Sequence, residues 1–261
     1  MLRKNKLLSV VTPVYNGQDY IEKTIISVID SGVDIEYIVI DGASTDSTIK
    51  IVERYSNKIS TVISESDDGI YNAMNKGLSH CTSEWIGIIN ADDYYTEHLS
   101  ELYDFLSKTS SEVDVVYANC LYVDKDEVEL HTHKPRTELG ASDVLPHPSV
   151  FIRKSAYERY GTYDESFRIY SDIDLLRVKF AKAIFLKFDK TVAVMRSGGA
   201  SQSATSKYSD EYVLIMKKIG INPITLFFRV TIKAWISQFL IRTIGEKRLS
   251  HIKRRIYSCY D

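Results

Sequence analysis

The strongest constraint on this chain is an alternation over residues 1–110: short apolar runs take turns with amphipathic segments. "LLSVVTP" has the character of a buried strand. "DYIEKTIISVIDSG" follows, with Ile21, Ile25 and Ile29 at helical spacing and a Ser-Gly stop. "IEYIVIDG", "ISTVISE" and "EWIGIINA" repeat the strand pattern. "STDSTIKIVERYS", with Ser/Thr/Asp caps, "GIYNAMNKGLSHC" and "EHLSELYDFLSK" repeat the helical one. Strands that alternate with helices imply an α/β fold: a parallel sheet with helices on both faces.

Beyond residue 110 the pattern changes. "VDVVYANCLYVD" and "EVELHTHKP" predict longer strands joined by an acidic turn. "PSVFIRKSAYERYG" predicts a strand and a short helix, "SDIDLLRVKFAKA" a helix, and "IFLKFDKTVAVMR" two short strands. Met195, Arg196, Gly198 and Gly199 introduce a Gly/Ser-rich loop expected to lie over the site, and from about residue 204 the chain reads as helical. The best boundary is Asn222-Pro223, which divides residues 1–222 (halves 1–110 and 111–222) from a tail, 223–261.

The chain is long enough for one large domain with a sizeable core. Its net charge of −2 argues against a nucleic-acid partner. That balance conceals a tail with net charge +6, in which Phe228, Ile232, Trp235, Phe239 and Arg242 recur at helical spacing. A basic amphipathic helix suits a membrane interface, giving peripheral contact. The alternative is a helix packed on the main body or on a second subunit. No stretch reaches the ~20 apolar residues of a spanning helix. Cys81, Cys120 and Cys259 are odd in number and lack metal-ligand spacing, so a cytoplasmic location is expected. The N-terminal apolar run is too short for a signal peptide and reads as the first strand.

Ligands of an open parallel sheet bind at the carboxyl ends of its strands. Here the first strand ends in Thr12, Pro13, Tyr15 and Asn16, and the second in Asp41-Gly42. The third leads to Glu65, Asp67, Asp68 and Gly69, and the fourth to Asp92 and Asp93. Each acid taken alone has a local role available: Asp41 in a turn, Asp67-Asp68 capping the next helix, Asp92-Asp93 capping the helix near Glu97. Together they follow successive strands too regularly for independent caps. Acids gathered on one rim repel unless something neutralises them. A hard cation such as Mg²⁺ or Mn²⁺, with substrate phosphates, does so. The first strand runs into "TPVYNGQDYI", without the Gly-rich cradle of a dinucleotide fold or a P-loop.

The segments "SVVTPVYNGQDYIEKTIISVI", "EYIVIDGASTDST", "ESDDGIYNAMNKGL", "EWIGIINADDYY", "LPHPSVFIRKSAYERYGTYDESF" and "YSDIDLLRV" occur in this order over residues 7–200. In this the chain resembles the family 2 glycosyltransferases, inverting enzymes of the GT-A fold, and most of all those that build bacterial polysaccharide or O-antigen units. The resemblance implies a GT-A domain over 1–222, with a nucleotide-sugar-binding half and an acceptor-binding half. Pro13, Tyr15 and Asp41 would line the base pocket, Asp68 would lie beside base and ribose, and Asp92 near the ribose. Asp93 would hold Mn²⁺ or Mg²⁺ across the diphosphate. Asp172 matches the catalytic base, and His147 falls at an acceptor-side position. Many members carry Arg-Asn where this chain has Met74-Asn75, so the missing cation is sought in Lys76. The frequent Glu-Asp base motif is Ser171-Asp172 here, and Asp174 stands as the other candidate base.

The implied reaction moves a sugar from a nucleotide-sugar donor, by the base-pocket acids a UDP-sugar, to a saccharide or lipid-linked acceptor. A base takes the acceptor proton while the metal steadies the leaving diphosphate. Two other readings compete: a non-catalytic sugar-nucleotide or polysaccharide-binding module of the same fold, and a nucleotidyltransferase. The first has no use for both Asp93 and Asp172. The second wants a Gly-rich basic signature where this chain has "PVYNG".

Overall fold

All seven residues of β1 (Leu8–Val14) are buried, so this strand is covered on both faces. The computed structural model that shows this describes residues 6–139, 143–198 and 209–220. After β1 come α1 (Ile21–Ile29), β2 (Ile35–Asp41), α2 (Thr48–Glu53), β3 (Thr61–Ser64), α3 (Ile70–His80) and β4 (Trp85–Ile88). The chain continues through β5 (Tyr94–Tyr95), α4 (Leu99–Lys108), β6 (Val115–Val123), β7 (Glu129–His133), β8 (Val150–Arg153) and α5 (Lys154–Tyr160). It ends its described course with α6 (Ser171–Asp174), β9 (Phe185–Arg196) and α7 (Ser209–Lys218).

One sheet runs β3-β2-β1-β4-β8-β6-β9-β5, with β7 paired to β6. Strands β1 to β4 are mutually parallel, as the alternation requires. β8 joins antiparallel to both β4 and β6, while β9 runs parallel to β6. The sheet is therefore mixed beyond β4. Pro13 is tolerated in central β1 because the β4 pairing stops at Val11↔Ile88, before the missing N–H would matter.

Alternate side chains divide the core between the two faces of the sheet. Val11, Ile38 and Ile88 pack with Tyr71, Met74 and Leu78 of α3. Leu8, Val10 and Trp85 pack with Ile21 and Ile25 of α1 and Leu99 and Leu102 of α4. Each such fully buried aliphatic side chain contributes about 1.5–3 kcal/mol. α3 sits unusually close: a Cβ on Gly77 would lie 2.3 Å from Val11 Cγ1, so only glycine permits that contact.

Three expectations change. Residues 185–196 form one strand rather than two, and the register against β6 shifts between Ala118 and Cys120 to accommodate it. Met195 and Arg196 belong to that strand and not to a loop. α6 is one turn long and passes into a π-helical turn, Leu175–Lys179. The Gly/Ser-rich loop beyond residue 198, Cys259 and the basic tail 223–261 lie outside the described residues. Among the described residues no helix is long and apolar enough to cross a membrane.

Candidate active site

The carboxyl ends of β1, β2 and β4 bring the expected residues to one rim. Pro13 is buried in β1, whereas Tyr15 just beyond is 64% exposed. Asp41 ends β2 and is fully buried; it accepts the Ser64 hydroxyl at 2.6 Å and the Ser44 N–H at 3.1 Å. Its turn role is therefore real, and it holds the β2–α2 connection against β3.

In the β3–α3 loop the two acids part company. Asp67 accepts the Gly69 N–H at 2.9 Å and covers Gly42, where a Cβ would meet its carboxylate at 2.5 Å. Asp68 is left exposed, and its carbonyl accepts Arg168 Nη1 at 2.7 Å. Lys76, the expected phosphate cation, pairs with Glu65 at 2.9 Å and donates to the Ser66 carbonyl at 3.1 Å. Arg168 is the cation that sequence reasoning passed over. It reaches this loop from the other half of the chain, and its own backbone N–H is held by Glu211 at 2.9 Å.

The acid pair after β4 is divided as well. Asp93 is 1% exposed and accepts the Arg196 N–H through Oδ1 at 3.0 Å. Burial, and then the charge of Asp92, pushes its carboxyl well above the usual carboxylate range. Asp92 is half-buried, and burial also raises its carboxyl, with Arg196 opposing. No other residue's side chain or N–H bonds the Asp92 carboxylate among the described residues.

Arg196 closes this corner. Its guanidinium donates to the Asp92 carbonyl at 2.6 Å, pairs with Glu127 and lies over the Tyr20 and Tyr94 rings at 4.8 and 5.4 Å. Glu127, at the tip of the β6–β7 hairpin, also pairs with Lys23 of α1. Tyr95, the other half of β5, packs on Phe151 with ring centroids 5.9 Å apart.

The donor set can be tested against a divalent cation. Among the described residues no three His, Cys, Asp or Glu side chains gather as a self-contained cage. Asp93 is turned into the protein. Asp92 is the pair's available carboxylate, and the neighbouring Asn90 Oδ1 is buried without a partner. This suits a hard cation that takes one or two protein carboxylates and fills its shell with phosphate and water, not a resident structural ion.

Asp172 and Asp174 separate in the same manner. Asp174 is buried and pairs with Lys218 of α7 at 2.8 Å. Asp172 accepts the Ile173 N–H at 2.9 Å and lies 3.4 Å from the Tyr71 hydroxyl. Burial pushes its carboxyl up to about 6. Burial raises the pKa of the Tyr122 hydroxyl on β6, and the charges of Cys120, Asp93 and Asp172 add to the rise.

His147 bonds the Tyr163 hydroxyl through Nε2 at 2.7 Å, while Nδ1 is buried without a partner. Burial lowers its pKa to about 4, so the ring is neutral at physiological pH. Among the described residues Asp92 and Asp172 thus carry carboxylates that no cation pairs, Tyr15 offers an exposed ring, and the His147 imidazole is neutral and buried at Nδ1.

Comparison with known proteins identifies the fold and the family. Residues 9–177 match Glycosyl transferase family 2. An uncharacterised glycosyltransferase of Rickettsia prowazekii (strain Madrid E) is 26% identical over 232 residues, covering 82% of this chain and 72% of the relative. The putative teichuronic acid biosynthesis glycosyltransferase TuaG of Bacillus subtilis (strain 168) is 31% identical over 144 residues, 53% of this chain and 57% of its own. Among solved structures, S. aureus TarS 1–349 in complex with UDP superposes with a TM-score of 0.64 at 19% identity, covering 82% of this chain and 64% of that one. The mannosyltransferase PcManGT of Pyrobaculum calidifontis, in complex with GDP-Man and Mn²⁺, gives 0.62 at 17% identity, covering 84% of this chain and 66% of that one. The chain spans just under two thirds of these two solved structures, and at such identities they speak for the fold alone. The mixed sheet with its flanking helices is the GT-A fold, and the chain belongs to glycosyl transferase family 2, as a glycosyltransferase enzyme.

Proposed function

We propose that this enzyme transfers a sugar, with inversion, from a nucleotide-sugar donor to a saccharide or lipid-linked acceptor in bacterial surface polysaccharide synthesis, with Asp172 as the base. The observation that carries this is the division of labour between Asp172 and Asp174. Asp174 is consumed by Lys218. Asp172 has no such partner, and its carboxyl at about 6 suits a base working near neutral pH.

The donor lies along the β1, β2 and β4 ends, with Pro13, Tyr15 and Asp41 around the base and Asp68 beside the ribose. UDP is the preferred nucleotide, since TarS was solved with UDP, although PcManGT holds GDP-Man. The metal contact is assigned to Asp92 rather than Asp93, because Asp93 is committed to the Arg196 backbone. When bound there, Mn²⁺ or Mg²⁺ supplies Lewis-acid stabilisation of the leaving diphosphate. Arg168 takes the cationic role first sought in Lys76, because Lys76 is neutralised by Glu65.

Asp172 accepts the acceptor hydroxyl proton. His147, neutral and with a free Nδ1, lines the acceptor side. The body is residues 1–222; the basic tail 223–261 brings the enzyme to the cytoplasmic face of the membrane, where lipid-linked acceptors lie.

The test is nucleoside diphosphate release from a panel of UDP-, dTDP- and GDP-sugars with Mn²⁺ or with EDTA. Release from one donor, lost in Asp172→Asn while that donor still binds, is the expected result. Near-normal release from Asp172→Asn sinks the assignment of the base.

A further inference from the structure

We propose that Tyr71 is a positioning residue for Asp172: a phenol carried by the donor-side helix α3 that orients the carboxylate through a reversible hydrogen bond. The inference rests on Asp172 being the base, and it goes beyond that reading by giving the base a named partner in the other half of the chain.

The geometry is specific. Tyr71 lies in the first turn of α3, 5% exposed, with its hydroxyl between the Ile169 carbonyl, to which it donates, and Asp172 Oδ1 at 3.4 Å. A phenol has one proton to give and can also accept, whereas a carbonyl only accepts. When Asp172 is ionised, two acceptors compete for that proton, and the charged one makes the stronger bond. When Asp172 is protonated, it donates to the phenol oxygen, and the phenol donates to Ile169. The bond therefore reverses with the proton: the Ile169 carbonyl yields the phenol proton to the ionised carboxylate and regains it when Asp172 is protonated, and the carboxylate keeps its place.

The ring itself is fixed. It stacks on Tyr163 with centroids 5.7 Å apart and planes 16° apart. Tyr163 is held in turn by His147 at 2.7 Å and Tyr157 at 3.3 Å. Only the hydroxyl is left to rotate. The titratable groups near enough to feel the Asp172 charge are Tyr71, Tyr122, Tyr163 and Tyr170, and of these Tyr71 alone hydrogen-bonds it among the described residues.

The helix links this to the donor side. α3 begins directly after the Ser66–Gly69 loop, and at Gly77 it is pressed onto Val11 of β1.

The test needs no substrate. Asp-¹³Cγ NMR of the full chain gives a carboxyl titration with a midpoint near 6, identified by its absence in Asp172→Asn. In Tyr71→Phe the midpoint moves up by about 0.5–1 pH unit, because a donor to the ionised form is lost. Tyr163→Phe removes a neighbouring hydroxyl that does not touch Asp172 and leaves the midpoint in place. Should Tyr71→Phe not fold, replacing Tyr71 alone by 3-fluorotyrosine makes its phenol a better donor and moves the midpoint down. An unmoved midpoint in folded Tyr71→Phe, or in the fluorinated protein, overturns the proposal. The base assignment fails separately, if Asp172→Asn still turns over donor.

Discussion

The backbone N–H of Arg196 donates to Asp93 Oδ1 at 3.0 Å, and the guanidinium of the same residue holds the Asp92 carbonyl at 2.6 Å. One residue of β9 thus fixes the acid turn after β4, facing one carboxylate inward and leaving the other available. The two acids have different consequences when removed.

Asp93→Ala leaves the buried Arg196 N–H without its acceptor and lowers stability by about 1–3 kcal/mol, read by urea unfolding. Asp92→Ala keeps wild-type stability. It loses the extra thermal stabilisation that UDP gives in the presence of Mn²⁺, read by melting curves with and without both. The reverse pattern would return the metal to Asp93.

Asp172 and Asp174 are distinguished in the same way. Asp172→Asn stops donor turnover and leaves stability at pH 7 unchanged or higher, since a costly buried charge is removed. Asp174→Asn breaks the pair with Lys218. The Lys218 side chain is 37% exposed, so the loss is discounted to about 1–2 kcal/mol. Turnover and urea midpoints of both variants provide the check.

Rising pH acts on stability with opposite signs at Asp172 and His147, and on activity through Asp172. Turnover rises with pH through about 6 as Asp172 ionises. The folded pKa of Asp172 lies above its ordinary value of 3.8, so the folded state binds more protons between those values, and its ionisation costs stability as pH rises through 6. His147 is shifted down to about 4 from 6.5, so the unfolded state binds more protons there. Its contribution is present above 6.5 and lost as pH falls through 4. Urea unfolding from pH 4 to 7 should therefore show Asp172→Asn gaining on wild type with rising pH and His147→Asn losing ground.

Gly77→Ala places a Cβ where Val11 Cγ1 already stands, at 2.3 Å. The overlap costs about 1–3 kcal/mol. Because α3 carries Tyr71, turnover falls as well, even at temperatures where the variant is fully folded. A melting curve and a turnover assay at one low temperature separate the two effects.

The first four strands were legible because β1 and β2 are covered on both faces and read as continuous apolar runs. β9 was not legible as one strand: Lys187, Asp189 and Lys190 interrupt its apolar pattern, and the interruption coincides with the register shift against β6. β5 is only two residues long and carries no periodicity. It exists because Tyr94 and Tyr95 pair with Val194 and Ala193 from a distant strand.

By itself the sequence determined the alternation of elements, and with it the rim on which acids collect. It did not determine which member of each acid pair faces that rim. Asp92 was separated from Asp93 by Arg196, 103 positions from Asp93 in the chain, and Asp172 from Asp174 by Lys218, 44 positions from Asp174. A carboxylate turns toward the partner that satisfies it when water is excluded, and only the tertiary structure brings those partners within reach.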